Sequence, residues 1–207
     1  GGDVAAQSTI ATAAARAELF AEPLRNGQCT PHDFLQDVMT QAHDAVIGRA
    51  RLEPRLSQMG TTLVTLLITS DTAPTAHLAH VGDSRGYLFR DGRLTPSTRD
   101  HTLIETYIAR GVLTPAMAKT HPERHVLTKA IGLSRSAKPD FTAIPLDPSD
   151  ILLLCSDGLT KMLEDTDIAE IMARAQGDPI LICDRLIETA LARGGEDNVT
   201  VIVIARP

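Results

Sequence analysis

The chain has 207 residues, of which 43% are hydrophobic and 22% are charged, a composition typical of a folded globular protein rather than a disordered one. Its net charge of -6 argues against a general nucleic-acid or anionic-membrane surface, and no apolar run reaches the roughly 18 residues that span a bilayer. The three cysteines are widely spaced and form no C-x-x-C pair, which argues against a disulfide framework and a zinc knuckle. The N-terminal residues carry no signal pattern, so we expect a cytoplasmic protein with no membrane insertion.

The first quarter of the chain predicts two helices. Residues 4–20 are rich in alanine and have apolar residues at helical spacing. The helix that they predict is expected to end before Pro23. A second helix is expected to begin at Thr30, as the N-cap, and to end at Pro54. The predicted inner face of this second helix consists of Phe34, Leu35, Val38, Ala42, Ala45, Val46 and Leu52.

The pattern changes to strands at Gly60, and the remaining elements follow in a mixed order. Strands are predicted over 61–69, 76–81, 86–89, 93–95, 141–145, 151–154 and 199–205. Turns are predicted at 71–74 and at Asp91–Gly92, and helices over 102–119 (broken at Gly111 and Pro115), 165–175 and 179–193. Helices and strands do not alternate regularly, so we predict an α+β domain with layered strands rather than a doubly wound parallel sheet.

Three aspartates flank the most apolar strands. Asp83 follows the strand that ends at 81, Asp157 follows the run ILLLCS over 151–156, and Asp197 precedes the run NVTVIVI over 198–204. A single aspartate at a strand end is usually a turn former. Three that converge would repel one another unless they bind hard divalent cations, and two such ions would activate a water molecule and neutralise a phosphoryl group.

Two other patterns suggest different chemistry. Residues 82–86 read GDSRG and satisfy G-x-S-x-G, the nucleophile elbow of serine hydrolases, with Ser84 as the nucleophile. That elbow requires a helix after the serine, whereas 87–92 predict a strand and a turn. His121 and His125 have the spacing of two metal ligands on a helix, but Pro122 weakens this interpretation.

Six motifs occur in one order along the chain: GTT at 60–62, VGDSRGY at 81–87, RDHT at 99–102, HPERHVLT with AIG over 121–132, DILLLCSDGLT at 150–160 and EDNVTV at 196–201. Together they closely resemble the bacterial metal-dependent serine/threonine phosphatases of the protein phosphatase 2C type. The resemblance extends from near residue 1 to residue 205. It implies two stacked antiparallel β-sheets flanked by helices (an αββα four-layer sandwich) in a single domain over 1–207, with a flap over about 102–128.

The resemblance also implies roles for the three aspartates. Asp157 matches the aspartate that holds the second metal, and Asp197 matches a ligand of the catalytic ion pair. Asp83 matches the aspartate that helps to hold a third, weaker ion in bacterial relatives. The implied cofactors are Mn²⁺ or Mg²⁺, and Asp157 and Asp197 are the expected catalytic residues.

One motif of the family has no counterpart in the chain. The family carries an early Asp-Gly-x-Gly-Gly motif whose aspartate bridges both catalytic ions. Residues 2–5 (GDVA) fit best as the Gly-Glu-x-Ala that follows this motif, and a rival register makes Gly1 and Gly2 the end of the motif itself. In both registers the bridging aspartate is expected upstream of residue 1, in an N-terminally truncated domain.

The resemblance implies a phosphoprotein phosphatase that hydrolyses phosphoserine and phosphothreonine by direct attack of a metal-bridging hydroxide, without a phosphoenzyme. The expected partners are phosphorylated substrates of a Ser/Thr kinase, with no nucleic acid, and the complete protein is expected to be a monomer. One alternative is a phosphatase-like interaction module without turnover, which the missing bridging aspartate keeps open. Another is a serine esterase that uses Ser84.

Overall fold

The structure is a computed structural model that describes residues 1–70, 73–133 and 138–205, so the predicted turn at 71–74 lies partly outside the described residues. The helices are α1 (Gly2–Arg25), α2 (Pro31–Leu52), α3 (Leu103–Ala109), α4 (Pro115–Ala118), α5 (Asp157–Thr160), α6 (Asp165–Arg174) and α7 (Pro179–Ala192), with a 3₁₀ turn at Pro54–Leu56. The strands are β1 (Leu63–Thr69), β2 (Thr75–Val81), β3 (Arg85–Arg90), β4 (Arg93–Pro96), β5 (Asp140–Pro145), β6 (Ile151–Cys155) and β7 (Val201–Ala205). No helix in the described part of the chain is long and apolar enough to cross a membrane.

The strands form two sheets. One has three strands in the order β1-β2-β5, and the other has four in the order β4-β3-β6-β7. The chain divides into two compact units: a first unit of 1–68, 77–83 and 100–143, and a second unit of 69–76, 84–99 and 144–207. The candidate aspartates are therefore divided between the units, with Asp83 in the first and Asp157 and Asp197 in the second.

The two long helices of the first unit begin and end for identifiable reasons. The hydroxyl of Thr30 accepts a hydrogen bond from the backbone N–H of Asp33 at 3.1 Å and caps α2, as predicted. Helix α1 continues through Pro23, where a break was expected. A proline removes only one hydrogen bond of the helix, and here it stands in the last turn. The helix ends at Arg25, and Gly27, the residue after the C-cap Asn26, turns the chain with a φ of +66°, a conformation that glycine adopts without strain.

The core of the first unit lies between α1, α2 and the three-stranded sheet. Its buried members from α2 are Phe34, Leu35, Val38, Met39, Ala42 and Val46, which include most of the predicted inner face. Leu52 was placed on that face but is 83% exposed, because α2 ends at this residue. On the sheet side the core includes Ala79 and Val81 of β2. The strand that precedes Asp83 is therefore held in place by core packing.

The second unit is built on four antiparallel strands. β6 pairs with β3 on one side and β7 on the other, and all five of its residues are buried. Asp91 and Gly92, with φ of +50° and +75°, make the predicted tight turn between β3 and β4. Helices α6 and α7 contribute Ile168, Met172, Ile182, Leu186 and Ala190 to the core of this unit. Ile151, Leu153 and Cys155 of β6 lie in this core, and Leu152 and Leu154 on the other face of the strand are also buried, which is why β6 is apolar along its whole length.

Candidate active site

Asp157 and Asp197 lie at one edge of the four-stranded sheet. Asp157 is separated from β6 only by Ser156 and is the first residue of the short helix α5, while Asp197 lies in the loop that enters β7. Because β6 and β7 are antiparallel, with Cys155 opposite Val201, the end of one strand and the start of the other meet at the same edge. The pairing therefore places the two carboxylates near each other.

Ser156 joins the two chain segments that carry the aspartates. Its hydroxyl donates to the carbonyl of Asn198 at 3.1 Å and accepts from the backbone N–H of Thr200 at 3.0 Å. Its own backbone N–H donates to the carbonyl of Thr200 at 3.0 Å. The loop passes so close to Gly158 that a Cβ there would lie 2.3 Å from the carbonyl oxygen of Asn198. Glycine is required at this position because any side chain would push the loop away.

Lys161 connects the two carboxylates. Its Nζ lies 2.6 Å from Oδ2 of Asp157 and 2.8 Å from Oδ2 of Asp197. The side chains are 24% exposed for Lys161, 32% for Asp157 and 46% for Asp197, so the group is open to solvent on one side. The other oxygen of Asp197, Oδ1, accepts a hydrogen bond from the backbone N–H of Asn198 at 2.8 Å, which orients that carboxylate.

The charges of this group are mutually supporting. The hydrogen bond from Lys161, together with that from the backbone N–H of Asn198, holds the pKa of Asp197 below its ordinary value. Partial burial acts against the charge on Lys161, but the hydrogen bonds to Asp157 and Asp197 outweigh it and raise the lysine pKa. Lys161 and Asp197 are therefore both charged at neutral pH.

The donor set suits a hard divalent cation. Mg²⁺ and Mn²⁺ prefer carboxylate oxygens, and Asp157 and Asp197 each direct one oxygen at a single positive charge. The ammonium of Lys161 is in this respect a stand-in for a bound cation. The residues present therefore fit the metal that the resemblance implies.

Asp83 lies in the first unit, in the turn after β2. Gly82 precedes it with a φ of +110°, and a Cβ at Gly82 would lie 2.3 Å from Cγ2 of Thr62. The imidazole Nδ1 of His101 accepts the backbone N–H of Gly82 at 3.1 Å, and the backbone N–H of His101 donates to the carbonyl of Gly82 at 2.9 Å. His101 thus holds the Gly82–Asp83 turn through two hydrogen bonds.

A second cluster of titratable groups surrounds the buried His101. Its ring stacks on that of His80 with centroids 4.6 Å apart, and its Nε2 lies 3.2 Å from Oδ2 of Asp140. Burial lowers the pKa of His101, and Lys129 and His80 act in the same direction. The Nζ of Lys129 lies 2.8 Å from Oδ1 of Asp140 and 3.1 Å from Nε2 of His101.

The donor atoms of His80, His101 and Asp140 lie within 4.8 Å of one another, close enough to hold a metal ion. The hydrogen bonds of His101, however, place a proton on the ring nitrogen that a metal ion would need. Because Nδ1 of His101 accepts from Gly82, the proton of the neutral ring is on Nε2, which then donates to Asp140. A cation at Nε2 would have to displace this proton and Lys129. The cluster is therefore a hydrogen-bonded support of the Gly82–Asp83 turn.

The structure does not support the other two candidate sites from the sequence, the serine nucleophile and the histidine pair. Ser84 is followed by β3 rather than a helix, so the nucleophile-elbow interpretation is wrong. His121 and His125 lie in a turn segment outside any helix, which removes the helical spacing that suggested a metal pair. Sequence reasoning missed the contacts of Lys161 and His101. Lys161 stands four residues after Asp157, a spacing that signals a contact only once α5 is known. His101 lies in the RDHT motif, but nothing in that motif indicates its hydrogen bonds to Gly82.

Comparisons with known proteins agree with this description. The family model "Stage II sporulation protein E (SpoIIE)" matches residues 4–207. The serine/threonine protein phosphatase PstP of Mycobacterium tuberculosis is 38% identical over 169 residues, which are 82% of this chain and 32% of that protein. The chain thus spans about a third of the length of this curated relative.

Two solved structures match closely. A crystal structure of the M. tuberculosis serine/threonine phosphatase PstP/Ppp has a TM-score of 0.88 and 35% identity, and the match covers 100% of this chain and 83% of that one. A crystal structure of the PstP catalytic domain in complex with two manganese ions has a TM-score of 0.81 and 34% identity, over 98% of this chain and 80% of that one. These matches confirm the expected fold of two antiparallel sheets flanked by helices. The chain therefore belongs to the bacterial serine/threonine protein phosphatases of the protein phosphatase 2C type.

Proposed function

We propose that the protein that carries this chain is a metal-dependent phosphatase of phosphoserine and phosphothreonine residues in proteins. The observation that carries this proposal is the convergence of Asp157 and Asp197 on one positive charge, at 2.6 and 2.8 Å. A family member with the same fold crystallised with two manganese ions, which supports Mn²⁺ or Mg²⁺ as the cofactor. Nothing in the described part of the chain favours the alternative of a module without turnover.

In this proposal Asp157 and Asp197 are metal ligands and catalytic residues. When bound, the ions would neutralise the phosphoryl group and lower the pKa of a coordinated water molecule. The chain itself keeps the ligands in place: Ser156 ties the two segments together, and the absent side chain of Gly158 lets the loop approach. The backbone N–H of Asn198 binds Oδ1 of Asp197, which leaves Oδ2 of this carboxylate free to bind a metal ion in place of the Lys161 ammonium.

Asp83 is proposed as a ligand of a third, weaker ion. Support comes from its place in the motif VGDSRGY and from the rigid turn that carries it, which Thr62 and His101 hold on two sides. The segment over about 102–128, which contains α3 and α4, is proposed as the flap that the family resemblance implies. A backbone bridge between Thr102 and Leu127 closes this segment at its base.

The partners follow from the same chemistry. We propose phosphorylated proteins, made by a Ser/Thr kinase, as substrates of a monomeric enzyme, and the net charge of -6 argues against nucleic acid as a partner. Cys29, Cys155 and Cys183 carry free thiols, which supports a reducing compartment such as the cytoplasm.

The test is metal-dependent hydrolysis by the full-length protein. A phosphothreonine peptide should be hydrolysed with added Mn²⁺ or Mg²⁺ and not in excess chelator. Asp157→Asn and Asp197→Asn should each lower turnover on the order of 10³-fold or more, because each removes a charge that holds an ion worth several kcal/mol to the transition state. Asp184→Asn, a change on the exposed face of α7, should retain wild-type turnover.

Two outcomes would contradict the proposal. Full activity in chelator would show that no metal takes part. Tight binding of the phosphopeptide without phosphate release, at saturating Mn²⁺ and with an intact circular dichroism spectrum, would favour the interaction module instead.

A further inference from the structure

Lys161 contacts the two carboxylate oxygens that are the candidate metal ligands. Its Nζ contacts Oδ2 of Asp157 and Oδ2 of Asp197 at hydrogen-bonding distance. These are the oxygens directed at one point between the two segments, since Oδ1 of Asp197 is already engaged by the N–H of Asn198. A divalent ion binds carboxylate oxygens at about 2.0–2.1 Å, so it and the ammonium cannot contact both oxygens at the same time.

We infer that Lys161 is a built-in counter-ion, which holds Asp157 and Asp197 together in the metal-free protein and competes with a divalent cation for both carboxylates. This inference rests on the proposed function, because it takes the two aspartates as metal ligands. It adds a residue that touches no substrate but sets the metal concentration at which the enzyme becomes active. Lys161 is thus a positioning residue with a measurable effect on metal affinity.

The position of Lys161 in the fold makes the exchange feasible. It is the C-cap of α5, four residues after Asp157, so the lysine and the aspartate lie on the same face of this helical turn. Its side chain is 24% exposed, and a long flexible stem allows the ammonium to leave for solvent without any backbone change. An arriving ion carries twice the charge and replaces the ammonium at both oxygens.

Two opposite effects follow from removing the lysine charge. Without metal, the carboxylates lose their counter-ion and repel each other, so the metal-free protein should be less stable. With metal, the ion no longer has to displace an ammonium, so its affinity should rise. Both effects should shrink at high ionic strength, because the group is partly open to solvent.

Calorimetric titration of the full-length protein with Mn²⁺ alone tests the inference. Lys161→Met should raise Mn²⁺ affinity roughly 3- to 10-fold and lower the metal-free melting temperature by about 2–4 °C. Lys161→Arg keeps the positive charge, so its Mn²⁺ affinity and its metal-free melting temperature should both change less than those of Lys161→Met. If Lys161→Met does not fold, Lys161→Gln gives the same comparison, since it removes the charge but keeps a hydrogen-bond donor.

Arg174→Met is the matched control. Arg174 also pairs with an acidic residue four positions away, Glu170, but on an exposed face of α6. Removal of this cation should leave Mn²⁺ affinity unchanged. Equal or weaker Mn²⁺ binding by a folded Lys161→Met would overturn the inference.

Asp157→Asn distinguishes failure of the inference from failure of the proposed function. If Asp157→Asn loses Mn²⁺ while Lys161→Met binds it as the wild type does, the aspartates are ligands and only the role of Lys161 is wrong. If Asp157→Asn binds Mn²⁺ unchanged, the metal site itself is wrong.

Discussion

Gly158 shows how a single absent side chain shapes the candidate site. A Cβ at this position would lie 2.3 Å from the carbonyl oxygen of Asn198 and 2.9 Å from its carbonyl carbon, and backbone atoms cannot give way as a flexible side chain can. We predict that Gly158→Ala displaces the loop of Asp197 and lowers Mn²⁺ affinity by about tenfold or more. The same overpacking should destabilise the fold by about 1–3 kcal/mol, measured by urea unfolding.

Gly48→Ala is the control for this change. Gly48 lies within α2, and a Cβ there would meet no atom within 4 Å. Alanine is the better helix former, so this variant should gain about 0.5–1 kcal/mol and bind Mn²⁺ normally. Wild-type Mn²⁺ binding by Gly158→Ala would show that the loop tolerates the side chain and that the close approach is not what aligns the aspartates.

At the scale of elements, local patterns predicted most of the fold. The hairpin at Asp91–Gly92, the cap at Thr30 and the break at Gly111 depend only on neighbouring residues, and the structure has all three. The convergence of Asp157 and Asp197 was also foreseeable, since strand ends meet where antiparallel strands pair.

Contacts that join distant parts of the chain were not foreseeable. Helix α5 has only four residues, too few for a periodic pattern, so the contact of Lys161 stayed hidden. His101 reaches Gly82 across 19 positions, and no spacing rule connects them. Pro23 misled the prediction of α1 because a local rule for proline does not say how near the helix end it stands.

The ion pair of Arg90 ties the end of β3 to the segment before β6. Nε of Arg90 donates to Oδ1 of Asp150 at 2.7 Å, and the guanidinium also donates to the carbonyl of Pro145 at 2.9 Å. The side chain of Asp150 is 1% exposed, whereas that of Asp147, the second acidic partner of Arg90, is 63% exposed. We predict that Asp150→Ala lowers the melting temperature by about 3–8 °C, because it removes the buried carboxylate that accepts hydrogen bonds from Arg90 and from the backbone N–H of Asp147. Asp147→Ala should lower it by less than about 2 °C.

The same pair predicts a pH dependence. Burial alone would raise the pKa of Asp150, but the hydrogen bonds from Arg90 and from the backbone N–H of Asp147 outweigh it and hold the pKa below the ordinary value of 3.8. A carboxyl group with a lowered pKa stabilises the fold above that ordinary value, and this stabilisation is lost as the pH falls through the folded-state pKa. Melting curves between pH 6 and pH 2 should therefore show a smaller acid-induced loss for Asp150→Asn than for the wild type. Equal losses would contradict the prediction.

At the scale of the whole molecule, the acidic residues outnumber the basic ones by 26 to 20, so the metal-free protein carries a net negative charge. Binding of divalent cations at Asp157 and Asp197 would reduce the local repulsion that this balance creates. A ligand that binds only the folded state also stabilises that state in proportion to the logarithm of its concentration. The stability of the protein should therefore report metal binding independently of catalysis.

We accordingly predict that Mn²⁺ at 100 times its dissociation constant raises the melting temperature of the full-length protein by about 5–10 °C. This value follows from a linkage energy of about 2.7 kcal/mol and a shift of about 2–4 °C per kcal/mol for chains of 150–250 residues. Circular dichroism melting with and without Mn²⁺ measures the shift, and excess chelator should reverse it. Asp197→Asn lacks one of the two carboxylates that meet at Lys161 and should show little or no shift. A shift of wild-type size in this variant would place the stabilising ion elsewhere in the molecule.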